Sequence, residues 1–432
     1  MRYLKKSLNI WIIIPVALLI FVPLWGKPPE VWPDTPGYIA FQSYRPPLYP
    51  FFLWLFHGFG AYQLIVVKWI QAVINFIVLI YAGNWMRKRL ELQNILIFLI
   101  LLFTVVFFFM HVQFSMLSIL SEAIAFPLFI LTFIFLVDSF IDLDMKKIIL
   151  AVITCNLLIL ARDQFYYMYV MLFMLTVYAF LHKVPLKKSM VISAIVLFSV
   201  VFNILTTGIY HYAMNGRFGE SSAVGEILLP PALYLATPDD AKYFEHPFHK
   251  MFFLSVEKSL YKNHLNYASV PKELRPPLQL IMSSAWYNIM FNPIKKTALR
   301  KLPPHTSSYV ASRTLTEISA ILYTHELMKN FKFYFWRTTS AIGGVWVFLG
   351  FLIVLFSALF RIISDRKYDL TINQAVTFLA ISIALMNAGF VTLFSSFDAR
   401  YYYYVYFLYA ILACLVGKTF LQKPIENISH HH

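Results

Sequence analysis

Residues 118–137 read SILSEAIAFPLFILTFIFLV, a run of twenty residues in which Glu122 is the single ionisable side chain. At a rise of about 1.5 Å per residue, such a run spans the hydrocarbon core of a bilayer, which is about 30 Å thick. Hydrocarbon offers no hydrogen-bond partners to the backbone, so a segment that crosses it must be helical. The stretch therefore predicts a transmembrane helix that carries a carboxylate near one end.

Similar apolar runs recur along the whole chain. Of the 432 residues, 59% are hydrophobic and 13% are charged, whereas a soluble protein carries about 25% charged residues. We predict an all-α polytopic membrane protein with about ten transmembrane helices. The predicted spans are 8–25, 61–82, 94–111, 118–137, 147–161, 164–182, 189–210, 339–360, 372–393 and 401–418.

The distribution of lysine and arginine predicts the orientation. With the N-terminus in the cytoplasm, the short inner connections carry sixteen of these residues and the short outer connections carry four. Such an excess on the cytoplasmic side orients membrane proteins, so we expect both termini in the cytoplasm. The same clustering accounts for the net charge of +15 without a nucleic-acid partner. The first apolar run lacks a small-residue cleavage site and is predicted to be a retained anchor.

The spacing of the apolar runs predicts four regions. Residues 1–210 form an N-terminal transmembrane module of about seven helices, with a first outer loop at 26–60. Residues 211–338 are polar but rich in Tyr, Phe and Leu, which favours a small, mostly helical extracytoplasmic domain over a disordered linker. Residues 339–420 form a C-terminal module of about three helices. Residues 421–432 form a cytoplasmic tail that ends in part of a purification tag.

The first outer loop holds Asp34 in a stretch where four prolines and Gly37 disfavour a regular helix, and the prolines stiffen the backbone. Low-dielectric surroundings raise the pKa of such a carboxylate, and a carboxylate held in place acts as a general base toward a hydroxyl. The alternative is that Asp34 only caps the short helix that begins after it.

Two further outer connections carry ionisable side chains. Glu122 is expected about one turn inside the outer boundary of the fourth helix, where an ionisable group is a functional hypothesis by default. The alternative is a glutamate that pairs with a buried arginine and serves packing alone. Arg162, in the turn between the fifth and sixth helices, suits phosphate because its guanidinium matches phosphate oxygens. The alternative is a local arrangement with Asp163 at the membrane surface.

The last outer connection reads Asp398-Ala399-Arg400-Tyr401 and continues with three more tyrosines. Arg400 is a second candidate for binding phosphate. The tyrosines have a common explanation as an aromatic belt at the membrane interface. Asp34, Glu122, Arg162 and Arg400 all fall on one predicted face, and this combination suits transfer of a group from a phosphate-bearing lipid to a hydroxyl.

Several motifs do not occur in the sequence. It has no glycine-rich phosphate loop, Walker sequence, HExxH or CxxC pair, so ATP-driven transport has no support within the chain. The spacing of His246 and His249 is too common to indicate zinc. We therefore assign no cofactor and no metal ligands, and a divalent metal has no support from the sequence.

These segments, in this order, resemble the GT-C superfamily of membrane glycosyltransferases. The branch that they resemble is related to protein mannosyltransferases and aminoarabinose transferases. The matching segments are Asp34-Thr-Pro-Gly-Tyr38, Arg45-Pro-Pro-Leu-Tyr49-Pro50, Leu120-Ser121-Glu122-Ala123, Leu160-Ala161-Arg162 and Asp398-Ala399-Arg400-Tyr401.

The resemblance implies an inverting glycosyltransferase that takes a sugar from a polyprenyl phosphate on the outer face of the membrane. It gives Asp34 the role of general base and makes Arg162 and Arg400, with Arg45 behind them, ligands of the donor phosphate. The expected substrate-binding residues are Tyr38, Tyr49, Glu122, Asp163, Asp398 and Tyr401. The single carboxylate of Pro33-Asp34-Thr35 departs from the adjacent acidic pair of many members. It favours a bacterial inner-membrane enzyme that works on the periplasmic face and modifies O-antigen of lipopolysaccharide or a similar surface glycan, with glucose from undecaprenyl phosphate as the expected donor.

Two other functions fit parts of the pattern. A lipid-linked glycan polymerase or ligase would share the topology and the arginines but would not need the segment from Asp34 to Tyr38. A lipid or glycan flippase or transporter should carry charged residues at midplane depth in several helices. The predicted helix centres are almost uncharged, which counts against ion-coupled transport.

Overall fold

The fold is built from helices. The computed structural model describes residues 8–42, 44–110, 118–182, 184–216, 218, 224–269, 288–289, 293–294, 308–326, 331–364, 370–394 and 401–421. Within these ranges every named element is an α-helix or a 3-10 helix, and extended backbone pairs at one isolated bridge between Glu30 and Ser118. The all-α prediction is confirmed.

The chain is a multi-pass membrane protein by the length and hydropathy of its helices. Five described helices are long and apolar enough to cross a membrane: His57–Arg89, Glu122–Asp142, Asp163–Leu181, Leu186–Met214 and Ile372–Thr392. Four shorter apolar helices occupy Ile10–Leu24, Asn94–Phe107, Val345–Phe360 and Tyr403–Lys418. The structure has a helix at each of the ten predicted spans, while ten membrane crossings and their orientation stay predictions.

Sixteen α-helices are numbered here along the described part of the chain. They are α1 (Ile10–Phe21), α2 (Thr35–Ile39), α3 (Leu48–Trp54), α4 (Gln63–Arg89), α5 (Asn94–Met110), α6 (Glu122–Asp142), α7 (Met145–Ala161), α8 (Met168–Leu181), α9 (Leu186–Asn215), α10 (Val224–Leu235), α11 (Pro247–Lys262), α12 (Ser308–Glu326), α13 (Phe331–Ile342), α14 (Val345–Ser364), α15 (Ile372–Phe394) and α16 (Tyr403–Leu421).

Helix α6 lies at the centre of the main bundle. It packs against α4, α7, α8 and α15, and phenylalanines such as Phe129 and Phe133 are fully buried along it. A helix that is apolar on every side suits such a position. In contrast, α9 exposes large apolar side chains, including Leu197 and Phe198. In a membrane protein such a face contacts lipid.

An ion-pair cluster holds one end of the bundle, at the side predicted to be cytoplasmic. Arg89 of α4 contacts Asp138 of α6 through Nε and Oδ1 at 2.9 Å, and it also pairs with Asp142. Lys147 of α7 pairs with the same two carboxylates. The cluster therefore joins α4, α6 and α7 where their polar ends emerge from the bundle.

A second, smaller core lies within residues 224–334. Helices α10, α11 and α12 bury Leu229, Phe253 and Ile318 completely, and α10 and α12 are packed along each other. The described part of this region is mostly helical, as the sequence predicted. The boundaries proposed for the four regions of the chain stay predictions.

Replacing Phe129 with alanine should destabilise the bundle by about 3 kcal/mol or more, because the buried ring leaves a cavity at the centre. The Phe198→Ala variant removes the same side chain from a position that is 67% exposed and should change stability little. Thermal unfolding of both purified variants in detergent measures the difference. Equal losses would contradict the central position of α6.

Candidate functional site

The first outer loop is fastened to the segment that leads into α6. The Ile119 amide donates to the Glu30 carbonyl at 3.0 Å, and the Trp32 Nε1 group donates to the Ser118 hydroxyl at 2.9 Å. The Thr35 hydroxyl donates to the Ile119 carbonyl at 2.9 Å. These bonds link residues more than eighty positions apart in sequence, and they fix the loop that carries Asp34.

Asp34 occupies the N-cap position of α2, but its side chain makes no capping hydrogen bond there. It forms an ion pair with Arg45, with 2.7 Å between Oδ1 and Nη2. The helix-cap alternative therefore does not describe this carboxylate. The guanidinium charge favours the ionised carboxylate, which is the form that a general base requires, and it opposes the low-dielectric effect expected from the sequence.

Gly37 makes the approach of Arg45 possible. A Cβ atom at this position would lie 3.0 Å from Nε of Arg45 and 2.8 Å from Oε1 of Gln42. A larger residue would therefore require the side chains of Gln42, Tyr44 and Arg45 to shift. The sequence analysis noted this glycine only as a helix breaker. The position of Gly37 between Pro36 and Tyr38, shortly before Arg45, was the sequence signal that could have indicated this close approach.

Tyr38 connects this ion pair to the start of α6. Its ring lies 4.4 Å from the Arg45 guanidinium carbon, and its hydroxyl lies 3.0 Å from the Ser121 Oγ atom. Burial raises the pKa of Tyr38, so its hydroxyl stays protonated and remains a hydrogen-bond donor. Tyr49 packs edge-on against Tyr38 and donates to Gln71 at 2.8 Å, and it is fully buried.

Glu122 is the first residue of α6 rather than a residue one turn inside it, which corrects the sequence prediction. Carboxylates are favoured at a helix N-terminus, where the backbone N–H groups are unpaired. Glu122 forms an ion pair with Arg162 and accepts a hydrogen bond from Ser121 at 3.3 Å. The geometry therefore matches the alternative of a glutamate paired with a buried arginine.

Arg162 is held from several sides. Its Nε donates to Gln164 Oε1 at 3.1 Å, and its Nη1 lies 3.5 Å from the Ser121 Oγ atom. Burial alone would lower the pKa of Arg162, but the negative charge of Glu122, together with the nearby Tyr404, Tyr401 and Tyr38, raises it overall. The arginine therefore stays charged although only 11% of its side chain is exposed.

Tyr401 brings the C-terminal part of the chain to the same site. Its ring lies 5.3 Å from the Arg162 guanidinium carbon, and its carbonyl accepts from Asn387 at 3.1 Å and from Gln164 at 3.5 Å. The next three tyrosines, 402–404, are buried within the protein, so the aromatic-belt explanation does not fit them. Among the predicted site residues, Asp398 and Arg400 lie outside the described residues.

The structure thus joins side chains from four separate connections in one polar network. It runs from Asp34 through Arg45, Tyr38, Ser121 and Glu122 to Arg162, with Tyr401 against the last arginine. Asp163 starts the 3-10 turn after Arg162 and is half-buried. The sequence analysis did not name Gln164 or Asn387 as site residues, and an amide within the apolar part of a long helix was the signal for Asn387.

The two ion pairs of this network differ in burial. Side-chain exposure is 34% for Asp34 and 14% for Arg45, compared with 2% for Glu122 and 11% for Arg162. A solvent-accessible pair contributes about 0.2–1 kcal/mol, whereas breaking a buried pair costs about 3–5 kcal/mol. The Glu122–Arg162 pair is therefore the fixed part of the site. Within the described ranges, no three or more His, Cys, Asp or Glu side chains gather as they would around a metal ion.

Comparisons with known proteins give one structural similarity. No family model and no curated protein sequence matches the chain. The fold is similar to the archaeal oligosaccharyltransferase AglB from Archaeoglobus fulgidus, solved in complex with an inhibitory peptide and a dolichol-phosphate, at 12% identity and a TM-score of 0.44. The alignment covers 99% of this chain and 53% of that protein, so the chain spans about half its length. A similarity at this level carries no inference about activity.

The Glu122→Ala variant should lose about 3–5 kcal/mol of stability, because it leaves the Arg162 charge buried without its counter-charge. The Glu122→Ala/Arg162→Ala double variant should lose less than the sum of the two single losses. Thermal unfolding in detergent gives the coupling, and the Asp34→Ala/Arg45→Ala cycle serves as the exposed comparison. Equal coupling in the two cycles would contradict the difference in burial.

Proposed function

We propose that the chain is an inverting glycosyltransferase of the GT-C type. It moves a sugar from a polyprenyl-phosphate-linked donor to a hydroxyl of a glycan acceptor on the non-cytoplasmic face of the membrane. The observation that carries the proposal is the continuous polar network in which the accessible carboxylate of Asp34 shares a site with two arginines. Glucose is the proposed sugar, and O-antigen or a similar surface glycan is the proposed acceptor.

Asp34 is the proposed general base. It is the more exposed member of its ion pair, and it lies in a loop fastened to the start of α6. Its carboxylate takes the proton of the acceptor hydroxyl while that oxygen attacks the anomeric carbon from the side opposite the phosphate. The bond between the anomeric carbon and the phosphate oxygen breaks, and its electron pair stays on the leaving polyprenyl phosphate.

Arg162 and Arg45 are the proposed ligands of the donor phosphate. Arg162 contacts Glu122 and Ser121 through Nη1 and Gln164 through Nε. A guanidinium has five N–H donors, so a phosphate oxygen at its edge would gain a charge-assisted bond. Charge that develops on a leaving group is stabilised most by donors that are already in place. Arg400 is proposed as a further ligand.

The other predicted site residues either contact the substrates or support the site in this proposal. Tyr38 and Tyr401 flank the arginines and are proposed to contact the sugar or its phosphate, as are Asp163 and Asp398. Tyr49 lies beneath Tyr38 and is fully buried, so we propose that it supports the site from below. The helical region after α9 is proposed to cover the site and to select the acceptor.

Asp34→Asn should lower sugar transfer by about a hundredfold or more, because the amide cannot accept the proton. Membranes that express the variant would receive radiolabelled polyprenyl-phosphate glucose and cell-envelope glycan, and transfer of label would be counted. Asp142→Asn, which makes the same chemical change in the ion-pair cluster at the far end of α6, is the matched control. Wild-type transfer in the Asp34→Asn membranes would remove the base assignment and favour a polymerase or ligase.

Cysteine labelling would test the proposed face of the membrane. In a chain without Cys155 and Cys414, Gly58→Cys adds a thiol to an exposed position in the first outer loop, and Gln93→Cys adds one to the connection before α5. A membrane-impermeant maleimide applied to intact cells should label the first variant and spare the second. Labelling of Gln93→Cys alone would reverse the orientation and place the network on the cytoplasmic side.

A further inference from the structure

Arg45 and Arg162 are anchored differently, although each is paired with a carboxylate. Arg162 is bonded to Glu122, Ser121 and Gln164 in buried surroundings. Arg45 contacts Asp34 through one oxygen, its hydrogen bond to Tyr38 is long at 3.4 Å, and its buried Nε atom makes no hydrogen bond. An anion that enters the site therefore displaces the partner of Arg45 more easily than the partner of Arg162.

Two aromatic rings contact the face of the Arg45 guanidinium and leave part of its edge able to change hydrogen-bond partners. The guanidinium carbon lies 4.4 Å from the centre of the Tyr38 ring and 4.7 Å from the centre of the Tyr44 ring. Arginine stacks on aromatic faces while its edge forms hydrogen bonds, and this edge matches phosphate as well as carboxylate. A change of partner at the edge therefore needs no large movement of the group.

We propose that the donor phosphate takes Arg45 from Asp34, so that donor binding releases the catalytic base. This inference rests on the proposed lipid-phosphate donor. In the empty site the Asp34 carboxylate is paired and its reactivity is reduced. When the phosphate of the donor pairs with Arg45, Asp34 keeps its negative charge, loses the stabilising charge of Arg45 and becomes a stronger base toward the acceptor hydroxyl.

The same exchange, run in reverse, releases the polyprenyl phosphate product at the end of the catalytic cycle. After transfer, Asp34 carries the acceptor's proton and is neutral, so it no longer competes for Arg45. The polyprenyl phosphate has gained the electron pair of the broken bond and is held more tightly than the donor was. Loss of the proton from Asp34 to water restores the carboxylate, which pairs again with Arg45 and displaces the product. Donor binding is therefore expected to precede acceptor binding.

Binding of farnesyl phosphate, a short polyprenyl phosphate without a sugar, tests the exchange in purified protein in detergent. Asp34→Asn should bind it about fivefold more tightly than wild type by isothermal titration calorimetry, because the competing carboxylate is gone. Farnesol, which lacks the phosphate, should bind both proteins equally. A variant that loses catalysis and gains phosphate affinity is not expected if Asp34 only maintains the structure of the loop.

Two controls separate the exchange from a general charge effect. Asp142→Asn changes the net charge equally from a side chain of similar exposure, 29% against 34%. It lies twenty residues from Glu122 along α6, which is about 30 Å, and should bind farnesyl phosphate like wild type. Arg45→Gln should weaken binding and should abolish the gain produced by Asp34→Asn.

The outcomes distinguish the exchange from the proposed function. Equal affinity of wild type and Asp34→Asn for farnesyl phosphate would overturn the exchange and leave the glycosyltransferase proposal standing. Binding of farnesyl phosphate to none of the proteins would overturn the lipid-phosphate donor, and the exchange with it. If Asp142→Asn bound farnesyl phosphate as tightly as Asp34→Asn, the gain in affinity would come from the change in net charge alone. This result would also overturn the exchange.

Discussion

The buried ion pair between Glu122 and Arg162 is the interaction on which the arrangement of the site depends. Opposite charges in low-dielectric surroundings attract strongly, but each is costly to bury without the other. The pair therefore fixes the start of α6 against the turn between α7 and α8. Ser121 and Gln164 occupy further polar atoms around it, and Tyr401 closes the site from the C-terminal part of the chain.

A gradient of exposure runs outward from this pair. Glu122 is almost inaccessible, Arg162 and Arg45 are partly accessible, and Asp34 is the most exposed member of the network. The loop around Asp34 gains its rigidity from bonds to the segment before α6 and from the close packing of Arg45 on Gly37. A change of partner at the exposed end would therefore leave the helix contacts at the buried end in place.

Hydropathy predicted the helices well because a bilayer imposes its constraint locally, on each segment separately. The start of α6 was placed four residues too early, since Ser118 and Ile119 continue the apolar run but use their backbone and side-chain groups to bind the first outer loop. The pairing of Arg45 with Asp34 was not predicted, because it depends on how the chain turns around Gly37. The contacts of Asn387 and Gln164 with the Tyr401 carbonyl join distant segments and leave no local pattern.

Charge balance explains why each arginine of the described site has a carboxylate partner. An unpaired arginine near hydrocarbon would be costly in the empty protein, whereas two arginines and two carboxylates leave the network neutral before any substrate arrives. A neutral network still binds an anion when one of its pairs is accessible, because an arginine can exchange one acceptor for another of similar geometry. The Glu122–Arg162 pair is the more buried of the two, so its loss would cost the fold more, and an exchange of partner is easier at the Asp34–Arg45 pair.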